Sequence, residues 1–119
     1  MRESLRDPER LRHILQAIER IEQFTQGMTA ESLDKDILHK HATAYNIQII
    51  GEAVIGEAVY KLSKEFKASH QDTPWAAIEK MRHILVHDYF QVNMRIMWMV
   101  ITEDLTPLKE QVLEYLKDF

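Results

Sequence analysis

The apolar positions of this chain recur at helical spacing. Leu11, Ile14, Leu15, Ile18 and Ile21 follow one another at intervals of three and four, which places them in one stripe on a helix. No segment alternates apolar and polar residues as a half-buried strand would, and there are only 3 glycines and 3 prolines. The chain therefore reads as all-α. The first helix has a clear start, with Asp7 as N-cap, Pro8 in the first helical position and Glu9 in the first turn. Gly27 is the expected residue just past its end.

A second start lies at Thr29 to Asp34, and the pattern predicts a long helix from there to about Phe66. Leu38, Ala42, Tyr45, Ile49 and Ala53 form one stripe on it, and Ile47, Ile50, Val54 and Ala58 form another. Two stripes mean packing on two sides. Gly51, Ala53, Gly56 and Ala58 are small enough to let another helix or subunit approach closely, and a glycine inside a helix costs about 1 kcal/mol relative to alanine. The run Ala68 to Thr73 (ASHQDT) reads as a loop. Asp72 or Thr73 caps a helix from Pro74 to about His87, with Ile78, Met81 and Leu85 toward the core. Met94 to Ile101 (MRIMWMVI) is apolar nearly all round, which predicts a central, buried helix. Asp104, Thr106 and Pro107 read as a break before a last amphipathic helix, Leu108 to Leu116. With no repeat and no linker, residues 1–119 read as a single domain, a compact bundle of about five helices.

Composition narrows the classes. A chain of 119 residues buries a core without staples. It has no cysteine, which removes disulfides and thiolate metal sites and makes a reducing cytoplasm the expected compartment. The charged start, MRESLRDPER, lacks the apolar core of a secretory signal, and no apolar run is long enough to span a bilayer, so no membrane association is expected. The net charge of −4 argues against a general nucleic-acid coat but leaves room for a local basic cleft.

The segment Met81 to Phe90 (MRHILVHDYF) gathers Arg82, His83, His87, Asp88 and Tyr89 where a helix is predicted to end. Arg82 and His87 are five apart, about 140° around an ideal helix, so they converge only if the helix loosens or if two copies of it meet across a two-fold axis. RNA carries its own nucleophile, the 2′-hydroxyl. Cleavage needs a base for that proton, an acid for the departing 5′-oxygen, and a cation on the phosphorane. Histidine serves as base or acid near neutrality, and the arginine fork matches phosphate oxygens. No metal or other cofactor is needed. The same residues also read as a plain helix end, with Arg82 on the surface, His87 favoured by the helix dipole, and Asp88 and Tyr89 shaping the turn.

The R-x4-H-x-Y segment follows Asp72-Thr73-Pro74-Trp75, and both follow Ile47-Gln48-Ile49-Ile50-Gly51-Glu52-Ala53. Together these resemble the HepT family of HEPN-domain toxins, the toxin half of HepT–MntA toxin–antitoxin systems, over nearly the whole chain. The resemblance implies a HEPN-like helical bundle that forms a homodimer, with the two R-x4-H motifs meeting in a cleft between subunits. It implies a metal-independent endoribonuclease toxin with Arg82 and His87 catalytic. It also implies a partner, a minimal nucleotidyltransferase antitoxin that attaches AMP to the residue matching Tyr89. Many relatives have Asn after the motif arginine; here it is His83, which is placed to assist His87 or to shift its pKa. Asp88 is a second assisting candidate. The alternative function is a catalytically inactive dimer of the same fold that only docks a nucleotidyltransferase.

Other residues carry weaker signals. His83 and His87, four apart, lack a recognisable third ligand, so no metal site is expected. His39 and His41 point to different sides of a helix. Lys61, Lys64 and Lys67 form either a solvated face or a phosphate-tracking patch. Trp75 and Trp98 read as core or interface anchors, Trp98 as core, and Tyr45 as structural.

Overall fold

A computed structural model describes residues 7–55, 63–71 and 94–119, and only the backbone for 52–55. Among these residues every regular element is helical, so the expected all-α bundle is what the chain forms. None of these helices is long and apolar enough to cross a membrane.

Helix α1 spans Asp7–Thr25. Its stripe does what the spacing predicts: Leu11, Ile14, Ile18 and Ile21 are fully buried, while Leu15 is at the margin of the core. Burial of each such side chain is worth about 1.5–3 kcal/mol of transfer free energy. The Thr25 hydroxyl donates back to the Ile21 carbonyl (2.8 Å), and the chain leaves through Gly27 at φ +74°, a left-handed conformation that favours glycine. At the other end Asp7 is itself helical rather than a cap outside the helix. It is buried, and its two carboxylate oxygens accept from the Ser63 backbone N–H (2.8 Å) and hydroxyl (2.7 Å).

Helix α2, Ala30–Lys35, begins with a reciprocal cap: the Ser32 N–H donates to the Thr29 hydroxyl (3.1 Å) and the Thr29 N–H donates to the Ser32 hydroxyl (2.9 Å). It does not run on as the apolar pattern predicts. Asp36 adopts an extended conformation (φ −94°, ψ 91°), and its carboxylate accepts the His39 N–H (3.1 Å), so a new helix starts there. This helix, α3, spans Ile37–Ile55. A short helix α4, Lys64–Ser69, has its own start at Ser63. Ser63 is extended (φ −66°, ψ 153°) and accepts the Phe66 N–H (3.1 Å) while donating to Asp7. The single long helix expected from Thr29 to Phe66 is thus divided by side chains that outcompete the helical backbone, at Asp36 and Ser63. The loop expected from Ala68 begins later, at His70, because the Ser69 hydroxyl donates to the Phe66 carbonyl (3.0 Å) within α4.

Helix α5, Met94–Met99, runs into a five-residue π turn, Val100–Asp104, and then into α6, Leu105–Leu116. The break expected at Asp104 to Pro107 is absent. A regular turn there would press the Pro107 ring against the Glu103 carbonyl, and the widened turn that contains Glu103 relieves it. Nor is α5 sheathed on all sides. Met97 and Val100 are buried, Trp98 is only partly covered, and Met99 is 47% exposed.

The core lies between α1 and α3, the most extensively packed pair of described elements, with α6 closing over α1. A Lys109–Glu22 ion pair (2.8 Å) ties α6 to α1 at the surface. Of the two stripes on α3, one is buried at Ile47 and Ile50, together with Thr43, Asn46 and Gly51. The other is exposed at Leu38 (76%) and Tyr45 (63%), with Ile37 beside them at 68%, while its Ile49 is partly buried against the core. Gly56 and Ala58, and the helix expected from Pro74 to His87, lie outside the described residues.

Replacing Ser63 by alanine removes the Asp7 contact and the α4 cap together and leaves a buried carboxylate oxygen without its hydroxyl partner. Unfolding in urea is expected to show about 1–3 kcal/mol lost at unchanged m-value.

Candidate functional site

Arg82, His83, His87, Asp88 and Tyr89 lie outside the described residues, as do Trp75 and Lys61. What the structure defines is the frame at each end of the segment that carries them: α4 with His70 on the entry side, and α5 from Met94 on the exit side.

The entry side is held twice. The Asp7–Ser63 contact fixes the start of α4 to the start of α1, across 56 residues of sequence. At the other end of α4, the His70 ring stacks on Phe66 (centroids 3.9 Å apart, planes 14°) and meets Tyr115 of α6 edge-on (4.6 Å). Phe119 stacks on Phe66 from the C-terminus (6.2 Å). His70 Nδ1 lies 2.9 Å from the Phe66 carbonyl, which can only accept, so Nδ1 carries the proton of that bond. Aromatic pairs of this kind contribute about 0.5–1.5 kcal/mol beyond area burial. Two residues beyond this anchor the undescribed segment begins.

On the exit side Met94, Arg95 and Trp98 line an open groove of about 370 Å³, with Ala30, Glu31 and Asp34 of α2 across it. Trp98 thus packs against the core only in part, rather than being enclosed as the surrounding apolar run predicts. The feature that sequence reasoning missed here is the π turn, whose extra residue leaves no mark in composition.

The weaker candidates separate. His39 pairs with Asp36 (2.9 Å) and meets Phe24 edge-on (6.5 Å), while His41 is exposed, so the two histidines do not act together. Among the described residues no three His, Asp or Glu side chains gather as a metal site would require. Lys64 is exposed and Lys67 half-buried. Two carboxyls are shifted. The His39 backbone N–H, then its ring, hold Asp36 below the usual carboxylate range. Desolvation, then the neighbouring Glu103, push Asp104 up.

Comparison with known proteins adds what the undescribed segment cannot. A family model described as "Ribonuclease HepT-like" matches residues 14–115, a span that includes the whole R-x4-H-x-Y segment. A protein of Caldanaerobacter subterraneus subsp. tengcongensis named "Putative RNase TTE0752" is 39% identical over 107 residues, covering 90% of this chain and 91% of that one. "Probable ribonuclease HepT" of Thermococcus cleftensis is 36% identical over 99 residues, covering 83% and 86%. "Gamma-glutamylcyclotransferase and putative RNase MJ0434" of Methanocaldococcus jannaschii is 33% identical over 108 residues, covering 91% of this chain and 46% of that longer protein. No solved structure matches.

The Asp36 shift has a pH signature. Its folded pKa lies below the ordinary 3.8, so its charge stabilises the fold above that value, and the contribution disappears as pH falls through the lower, folded pKa. Asp36→Asn keeps the cap and removes the charge. Thermal melts are expected to show the variant less stable than the parent at pH 7, with the gap closing below about pH 4.

Proposed function

This chain belongs to the HepT-like ribonuclease family, and on that premise we propose that it is a metal-independent endoribonuclease toxin, active as a homodimer and silenced by AMP attached to Tyr89. The family match over residues 14–115 supports the ribonuclease activity, and the intact Arg82, His87 and Tyr89 within that span support the finer reading.

In this reading the substrate 2′-oxygen attacks the adjacent phosphorus as its proton passes to a base, and the 5′-oxygen leaves with a proton from an acid. The products are a 2′,3′-cyclic phosphate and a free 5′-hydroxyl. His87 moves the protons, and Arg82 stabilises the charge that builds on the phosphorane oxygens. His83 and Asp88 adjoin these positions in sequence and assist. Residues five apart on a helix diverge by about 140°, so one subunit's arginine and the other's histidine are the natural pair. The bare face of α3, with Ile37, Leu38 and Tyr45, supplies an apolar surface for a second copy.

The control step is chemically explicit. The Tyr89 phenolic oxygen attacks the α-phosphorus of ATP bound by a nucleotidyltransferase antitoxin, and pyrophosphate leaves. The attached phosphate places negative charge near Arg82 in sequence and occupies volume that RNA needs.

Expression of the chain alone is expected to arrest bacterial growth, and His87→Ala or Arg82→Ala to relieve the arrest. The purified protein is expected to cleave single-stranded RNA in excess chelator, with at least about a hundredfold loss in either variant. Equal toxicity of parent and His87→Ala would remove His87 from the chemistry. Co-expression with a minimal nucleotidyltransferase is expected to add AMP mass to the peptide containing Tyr89. An unmodified Tyr89 in a neutralised pair would replace covalent control with simple obstruction.

A further inference from the structure

The π turn determines what α5 shows to solvent. Met97, Val100, Leu105, Leu108 and Val112 are all buried. Positions 100 and 105 would diverge by about 140° in a regular helix. One extra residue in the turn brings them to the same side: the Leu105 N–H donates to the Val100 carbonyl five residues back, and the Thr102 hydroxyl takes the Trp98 carbonyl (2.9 Å). Without it, the fully buried face of α6 would continue backward through Ile101, Trp98 and Met94, which instead are only partly buried at the edge of the core. With it, Met94, Arg95 and Trp98 line the groove against α2. Re-aiming of side chains is the usual consequence of a π-bulge, and such bulges recur at functional sites.

The groove has an unbalanced chemistry. Arg95 and Glu31 are both exposed, and among the described residues neither has an ion-pair partner. Asp34 is already taken by Lys40 (2.8 Å). An indole at the wall, a free guanidinium beside it and a free carboxylate across from it therefore surround a space of about 370 Å³.

We propose that this groove is a second RNA contact, holding one unpaired nucleobase of the substrate stacked on Trp98. Arg95 meets the adjoining phosphate, and Glu31 accepts from an exocyclic amine. The inference rests on the ribonuclease reading for the identity of its ligand. Every base offers a π-face, which is why single-stranded RNA is held on aromatic side chains. The guanidinium fork matches phosphate oxygens, and a carboxylate favours bases with an amino group over uracil. Met94 is seven residues from His87, at most about 25 Å of extended chain, so one strand can reach the groove and the proposed reaction centre together.

The test uses the full chain and fluorescently labelled 2′-O-methyl oligoribonucleotides, which bind but lack the nucleophile. Anisotropy is expected to show Kd raised about tenfold by Trp98→Leu but much less by Trp98→Phe, at similar melting temperatures. Arg95→Gln is expected to weaken binding and to lower the slope of log Kd against log salt by about 0.7. Glu31→Gln is expected to narrow the preference for oligo(A) over oligo(U). Equal Kd for the parent and Trp98→Leu, as a groove reserved for a protein segment would give, overturns the proposal. So does equal weakening by Leu and Phe, or no binding by the parent. Because these ligands cannot be cleaved, failure of the parent to cut ordinary RNA would count against the proposed chemistry without touching this result.

Discussion

The packing of α1 along α3 is the contact from which the rest of the described structure follows. Leu11, Ile14, Ile18 and Ile21 are sealed from solvent, and Ile47 and Ile50 belong to the same core. Once α3 has committed that side to α1, part of its other stripe is left uncovered, and Leu38 and Tyr45 remain exposed. The helix therefore keeps exposed apolar surface at these positions. Asp7 uses the start of α1 to fix Ser63, and Lys109 of α6 pairs with Glu22 of α1, so the elements on both sides of the R-x4-H segment are referenced to the same helix.

Much of this was legible from periodicity. The α1 stripe, the turn at Gly27, the helix start at Thr29 and the double-faced character of α3 all follow from spacing and cap residues, because each is decided locally. What was not legible depended on competition between local and distant partners. Asp36 and Ser63 divide what the apolar pattern reads as one helix, and Ser63 does so while held by Asp7, which is remote in sequence. The π turn at Val100–Asp104 is a second case. A run as apolar as MRIMWMVI has almost no polar side to reveal its phase, so an inserted residue and the partial exposure of Trp98 leave no trace in the pattern. Pro107 reads as a break because nothing in the sequence marks the widened turn that accommodates it.

The chemistry was legible in a different way. Spacing alone left Arg82 and His87 balanced between a catalytic pair and an ordinary helix end. The span over which the chain matches the ribonuclease family takes in the whole motif. What the structure describes is the frame at its two ends. The entry is anchored by His70 against Phe66 and Tyr115, and the exit runs into a helix whose phase is adjusted by a π turn.

The claim at the centre of this account is that Arg82 of one subunit works with His87 of the other. Mixing Arg82→Ala protein with His87→Ala protein, under conditions that exchange subunits, tests it directly through RNA cleavage. If the site is shared, half the dimers formed are mixed and each regains one complete pair, so activity should return to roughly a quarter of the parent's. If each subunit carries its own complete site, no pairing restores one, and a mixture as inactive as its components would contradict the account.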